Sequence, residues 1–169
     1  MEAYDVAIIG GGISGLMVAY SLLQRNSSCK IIIFEKGHYI TKRSCPVMSE
    51  RVDVCCNCKT CSIMNGLGGA GAFSDGKYII TNEYGGWLSS FISPSEALNY
   101  MEKADSILRH FGATDYRYKP DNELKKLCLQ NGLFMKQGEV KHLGTENNLD
   151  IMTKFVEHLM QQCKIIVDC

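Results

Sequence analysis

An α/β fold built on a parallel sheet is what this sequence predicts, and three observations predict it. The apolar run Tyr4-Asp5-Val6-Ala7-Ile8-Ile9 leads directly into Gly10-Gly11-Gly12-Ile13-Ser14-Gly15. Leu16, Val18, Ala19, Leu22 and Leu23 then recur at helical spacing up to Arg25. A second run, Lys30-Ile31-Ile32-Ile33-Phe34, stops at Glu35. Strand, glycine turn, helix, strand and terminal acid is the order in which a Rossmann-like βαβ unit for a dinucleotide is built.

Each residue type in the turn has a mechanical reason. Gly10 lets the strand turn sharply, because glycine adopts positive φ without penalty. Gly12 has no Cβ, so a pyrophosphate can approach the backbone there. Gly15 allows the helix to pack closely on the first strand. Together with Ser14, these residues present the positive end of the helix to a diphosphate. A side chain at Gly12 is therefore expected to block the ligand, whereas Gly11, outside the three fingerprint positions, is expected to tolerate alanine better. Glu35 lies where a carboxylate accepts hydrogen bonds from an adenosine ribose, and an acid there argues against a 2′-phosphate. On this reading Glu35→Arg weakens the dinucleotide at least tenfold and leaves the fold intact, on the order of 3 kcal/mol.

Composition narrows the class. Lysine and arginine (18) balance aspartate and glutamate (18) in 169 residues, which favours neither nucleic acid nor an acidic membrane as partner. The apolar stretch from Val6 to Tyr20 is too short and too glycine-rich for a membrane span. The start, Met-Glu-Ala-Tyr-Asp, lacks the basic region of an export signal, so a cytoplasmic protein is expected.

After Glu35, the cations Lys36, Lys42 and Arg43 are candidates either to lie near phosphate or to decorate a solvated loop. Nine cysteines, an odd number, argue against a disulfide framework. Cys29, Cys128, Cys163 and Cys169 are scattered and read as apolar fillers. The remainder cluster: Cys45 before Pro46, then Cys55-Cys56-Asn57-Cys58-Lys59-Thr60-Cys61. Cys55, Cys58 and Cys61, with Cys45 as a fourth, have spacing suited to zinc or an iron–sulfur cluster. A redox-active thiol pair and plain reduced cysteines are the alternatives. In the metal reading Cys56 points away. The stretch Gly66-Leu67-Gly68-Gly69-Ala70-Gly71-Ala72-Phe73-Ser74-Asp75-Gly76-Lys77 is nearly bare of side chains, so it can pass close to a flat ligand and offer its amides to an anion.

With the dinucleotide fingerprint, Glu35, the cysteine cluster and this glycine run in hand, the chain resembles the FAD-dependent dehydrogenases also called NAD(FAD)-utilizing dehydrogenases, within the glutathione-reductase-like flavoproteins. Gly85-Gly86 and His142-Leu143-Gly144-Thr145-Glu146 extend the likeness over nearly the whole chain, with Glu146 standing where the family has an aspartate. The resemblance implies FAD rather than NAD, with Gly69, Ala70, Gly71 and Ser74 giving backbone contacts to the diphosphate and flavin. It also implies a longer parent, of which this chain is the N-terminal portion.

Further along, Ser93-Pro94-Ser95-Glu96 reads as a helix start, with Ser93 or Ser95 as cap, before Ala97, Leu98, Met101, Ala104, Ile107, Leu108 and Phe111 at helical spacing and a close at Gly112. A short helix follows over 121–128. Leu149, Ile151, Met152, Phe155, Val156, Leu159 and Met160 line a third helical face, and Lys164-Ile165-Ile166-Val167 reads as a third parallel strand beside the second. The expected organisation is a βαβ unit over 1–92, a helical insertion over 93–148, and helix and strand over 149–169, with the sheet incomplete at the C-terminus. No catalytic acid or base is assigned from the sequence; among His38, His110, His142 and His158, His142 is the best candidate because it abuts Gly144-Thr145, with a structural hydrogen bond as the favoured reading of it. The expected function is the FAD-binding part of an oxidoreductase acting on a small molecule. The alternative is a non-catalytic nucleotide-binding module with a redox- or metal-sensing cysteine cluster.

Overall fold

Short, β-branched strands with no internal polar residue pair side by side, and these set the frame of the computed structural model, which describes residues 2–169. Strand β1 (Val6–Ile9), helix α1 (Ile13–Arg25) and strand β2 (Ile31–Phe34) follow in order. Strand β3 (Lys77–Ile80), helices α2 (Pro94–His110) and α3 (Asn122–Gln130), strand β4 (Glu139–His142), helix α4 (Thr145–Met160) and strand β5 (Lys164–Ile166) complete the described elements. β1, β2 and β5 form a parallel sheet in that order, with Ile8 opposite Ile33 and Ile33 opposite Ile165. The third strand thus docks beside the second, as the apolar run at 164–167 predicts.

The chain divides into two units: the chain up to Ser74 together with Asn148–Cys169, and Asp75–Asn147. The boundary expected at residue 93 falls inside the second unit. In the first unit α4 turns Ile151, Met152, Phe155, Val156 and Leu159 inward, at the i, i+3/i+4 spacing of an amphipathic helix. They share the core with Leu16, Ala19 and Leu23 of α1 and Ile31 and Ile33 of β2. Tyr20 meets Phe155 edge to face at 5.7 Å.

In the second unit β3 and β4 pair antiparallel, with Tyr78 opposite Lys141. β4 is Glu-Val-Lys-His, which alternates too weakly to be read as a strand from sequence. Its Lys141 is fully buried and pairs at 2.6 Å with Asp105, which is 1% exposed. Asp105 also accepts from Tyr78 Oη (2.7 Å) and Arg117 Nη2 (2.7 Å). Burial pushes the Asp105 carboxyl up, but Lys141, Tyr78 and Arg117 outweigh it and hold it below the ordinary range. Arg117 further bridges Glu102 and Glu139. A buried carboxylate is tolerated here because both its oxygens accept, Oδ1 from Lys141 and Tyr78 and Oδ2 from Arg117. Tyr78→Phe is expected to lower the stability of this unit by about 1.5 kcal/mol, read as a shift of the urea midpoint, since one charge-assisted bond is lost while Lys141 still holds the carboxylate.

Helix α2 starts as predicted. The Ser93 hydroxyl accepts from the Glu96 amide at 3.2 Å, and the Ser93 amide donates to Glu96 Oε2 at 3.2 Å, a complete capping box. α3 begins one residue after Asp121, whose Oδ1 accepts from the Glu123 and Leu124 amides.

Candidate functional site: a glycine-lined cleft at the strand ends

The cleft forms where β1 and β2 end. Gly10, at φ +101, carries the chain out of β1 while its amide still donates to Phe34 O at 2.8 Å. A Cβ on Gly15 would run into the Gly10 carbonyl oxygen and lie 3.2 Å from Ile8 Cγ2, so only glycine lets α1 cross β1 this closely. Gly12 differs. A Cβ there would approach only Gly69 Cα, at 3.9 Å, so the space above Gly12 is unfilled by protein. Gly12 caps α1 without a side chain, and no acid sits in its first turn, where Ser14 is exposed. The positive end of α1 therefore remains available to an anion.

Gly11 departs from the tolerance expected of it. A Cβ there would strike the Leu67 side chain and lie 3.3 Å from Glu35 Cβ. Leu67 is completely buried and has little room to yield. Of these two glycines, Gly11 is held to glycine by the protein's own packing, and Gly12 is not.

Glu35 is 7% exposed. Its Oε2 accepts from the Gly11 amide at 2.8 Å, and its Oε1 from the Gly37 and Gly66 amides, each at 2.9 Å. Burial alone would push this carboxyl up, but the Gly37, Gly11 and Gly66 amides, with Arg43, outweigh it, and the group is held below its ordinary value of 4.5. Of about four acceptor positions on a carboxylate, three are taken, which leaves one on Oε2. Glu35 thus ties the glycine turn, the end of β2 and the loop at Gly66 together.

Arg43 is 6% exposed and holds that same loop from the other side. Its Nε donates to Ser62 O (2.8 Å), Nη1 to Leu67 O (2.9 Å) and Gly69 O (2.8 Å), and Nη2 to Ile63 O (2.7 Å). Its guanidinium stacks over Phe73 at 4.4 Å. Of the two roles open to Arg43 in the sequence, phosphate partner or solvated cation, it takes neither. Lys36 and Lys42 remain exposed.

Asn148 is the residue that sequence reasoning missed. Its Nδ2 donates to Gly71 O (2.7 Å), Ser74 O (3.2 Å) and Ala72 O (3.3 Å), and so pins the glycine run to α4. The signal was a polar residue on the stripe otherwise filled by Ile151, Met152 and Phe155. Gly69 adopts φ +68, ψ −170, a region essentially reserved for glycine. It faces Gly12 across the cleft.

The cleft has a volume of about 330 Å³ and is lined by Gly10, Gly12, Glu35, Lys36 and Gly69, with Ile9, Phe34 and Cys169 at its apolar side. Five of the ten sequence candidates therefore share it. Ser14, Gly15, Ala70, Gly71 and Ser74 do not line it. Ser14 and Gly15 belong to the helix start, and the Ser74 hydroxyl donates to Gly71 O at 2.7 Å. His142 is 3.6 Å from Asp75 in the second unit.

All nine cysteines are free. Cys45, Cys55, Cys56, Cys58 and Cys61 line one pocket of about 240 Å³ with Pro46 and Val47. Cys45, Cys55, Cys58 and Cys61 share the pocket as their spacing suggests, but among the described residues no three His, Cys, Asp or Glu side chains are grouped to hold a metal ion. Nor does Cys56 point away: its Sγ lies 3.6 Å from that of Cys58. That contact is the main cause pushing the Cys58 thiol up, while the Met64 and Ile63 amides, helped by Arg43, draw the Cys61 thiol down.

Comparison with known proteins places the first of these features. Residues 5–44 match the family model described as "FAD dependent oxidoreductase". The chain is 57% identical over 37 residues to the mitochondrial L-2-hydroxyglutarate dehydrogenase of Dictyostelium discoideum, a stretch covering 22% of this chain and 8% of that protein. Two solved structures are similar at low identity: THI4 of Thermovibrio ammonificans (14% identity, 97% of this chain and 37% of that one, TM-score 0.41) and L-amino acid deaminase from Proteus vulgaris (13%, 100% and 40%, 0.42). The chain spans less than half the length of each of these relatives. No helix among the described residues is long and apolar enough to cross a membrane. The family match spans β1, α1 and β2, the segment that carries the glycine turn and Glu35.

Proposed function

We propose that this chain carries the FAD-binding part of an oxidoreductase, with the diphosphate at the N-terminus of α1 beside Gly10, Gly12 and Ser14 and the adenosine ribose at Glu35. The observation that carries this reading is the unfilled space over Gly12, flanked by an uncapped helix end and a carboxylate with one acceptor position to spare. A single charge-assisted hydrogen bond from a ribose hydroxyl to Oε2 fits that count, rather than two. When bound, FAD supplies the hydride or electron chemistry. The chain's own residues bind and orient it: Gly69 brings backbone close, Lys36 at the rim adds a positive charge, and Gly15 keeps α1 tight on β1. Gly69, Ala70, Gly71 and Ser74 are proposed to meet the diphosphate and flavin through their backbone. Its substrate is proposed to be a small molecule, and the free state of all nine cysteines suits a reducing compartment such as the cytoplasm.

Titration of the chain with FAD, followed by flavin fluorescence, tests this. FAD is expected to bind, with ADP competing for the site. Gly12→Ala should weaken FAD at least tenfold with the urea midpoint unchanged, and Gly11→Ala should lower the midpoint. Equal FAD affinity in wild type and Gly12→Ala would sink the assignment.

A further inference from the structure

The cysteine pocket holds a pair of thiols already facing each other. Cys56 and Cys58 are exposed, and their Sγ atoms are 3.6 Å apart. Asn57 between them has φ +50, a left-handed conformation that bends the tripeptide. In an extended chain alternate side chains stay on one face but are held apart by the rise of the strand; this bend draws the two together instead. A disulfide needs an S–S distance of about 2.05 Å, and rotation about exposed Cα–Cβ bonds closes the remaining gap. Pro46 and Val47 give the same pocket an apolar wall, and its volume of about 240 Å³ admits a small molecule.

We propose that Cys56 and Cys58 form a reversible dithiol–disulfide couple whose oxidant is a low-molecular-weight disulfide admitted to the pocket. The inference rests on the thiols and not on the FAD reading. One thiol, as thiolate, attacks a sulfur of the small disulfide, forming a mixed disulfide and releasing the other half as thiolate. The second cysteine gives up its proton and displaces the remaining half. The Cys56–Cys58 bond forms, two electrons pass to the small disulfide, and two small thiols leave. Excess small thiol reverses the sequence.

The test incubates the reduced full chain with glutathione disulfide and glutathione at a series of ratios, quenches with acid, and measures mass and peptide map. Wild type is expected to lose two hydrogens, mapped to the peptide holding Cys56 and Cys58, and to regain them in excess glutathione. Cys56→Ser and Cys58→Ser should each keep one glutathione on the partner cysteine. Both side chains are exposed, so unchanged far-ultraviolet circular dichroism is expected to accompany each variant. Cys128→Ser should behave as wild type. The same results are expected with or without FAD added, so a failure of FAD to bind leaves the outcome distinct. A mixed disulfide that persists on wild type, or a bond mapping to Cys55–Cys58 or Cys58–Cys61, overturns the proposal. So does one equivalent of zinc that shields Cys45, Cys55, Cys58 and Cys61 together from alkylation.

Discussion

Glu35→Arg is expected to cost the first unit its stability as well as its dinucleotide. The carboxylate holds the Gly11, Gly37 and Gly66 amides. Replacing it with a cation strands three donors at a site that is 7% exposed and places positive charge against them. At about 1.5–3 kcal/mol for each charge-assisted bond, and with incomplete additivity, the loss is at least ~4 kcal/mol, a large part of a typical domain's stability. The expectation from sequence, a tenfold loss of affinity with the fold intact, overlooked these amides. Glu35→Gln keeps the shape and one oxygen but turns an N–H toward a backbone donor, so its cost should be intermediate, about 2 kcal/mol. Urea midpoints with and without FAD measure both variants. Wild-type stability in Glu35→Arg would mean that the amides find other partners. The pH dependence follows the same geometry. The Glu35 carboxyl is depressed in the fold, so its contribution is fully present above its ordinary value of 4.5 and is lost as pH falls through the folded value below that. Glu35→Gln should flatten the acid limb of the stability profile.

Arg43→Met should be nearly as severe, and local. Methionine preserves much of the aliphatic volume but removes four donors, leaving the carbonyls of Ser62, Ile63, Leu67 and Gly69 to water or to nothing. The expected loss is about 4 kcal/mol, capped by the ease with which the segment from Ser62 to Gly69 can open on its own. That segment carries Gly69, which faces Gly12 across the cleft. Limited proteolysis should therefore cut it faster, and FAD affinity should drop at least tenfold. Arg43→Lys should fail to rescue either, because a single ammonium cannot reach four carbonyls set around a planar fork. Full rescue by lysine would show that charge alone, rather than the fork, holds the segment.

Features encoded by near neighbours were legible in the chain. The glycine turn between β1 and α1 and the helix start at Ser93–Glu96 are decided within a few residues, and each forms where its pattern places it. Hydrophobic period did the same for α4, and the apolar run at 164–167 gave β5 its place beside β2. That Cys45, Cys55, Cys58 and Cys61 share one pocket was legible from spacing, whereas the presence of Cys56 there and the distances among the sulfurs were not.

By itself, the sequence determined the βαβ unit, the end of the sheet where the glycine-lined cleft opens, and the acid at the end of β2, because strand, turn and helix preferences act over short separations. Only the tertiary structure decided what Glu35, Arg43, Asn148, Gly11 and Lys141 do. Glu35 reaches the Gly66 amide, Arg43 reaches Gly69 O, and Asn148 reaches Gly71 O across separations of 31, 26 and 77 residues. Their partners are backbone amides and carbonyls, which every position offers alike, so no side-chain pattern marks which will be met. Gly11 is constrained by Leu67, and Lys141 is buried against Asp105, for the same reason: close packing is settled by whatever the fold brings alongside.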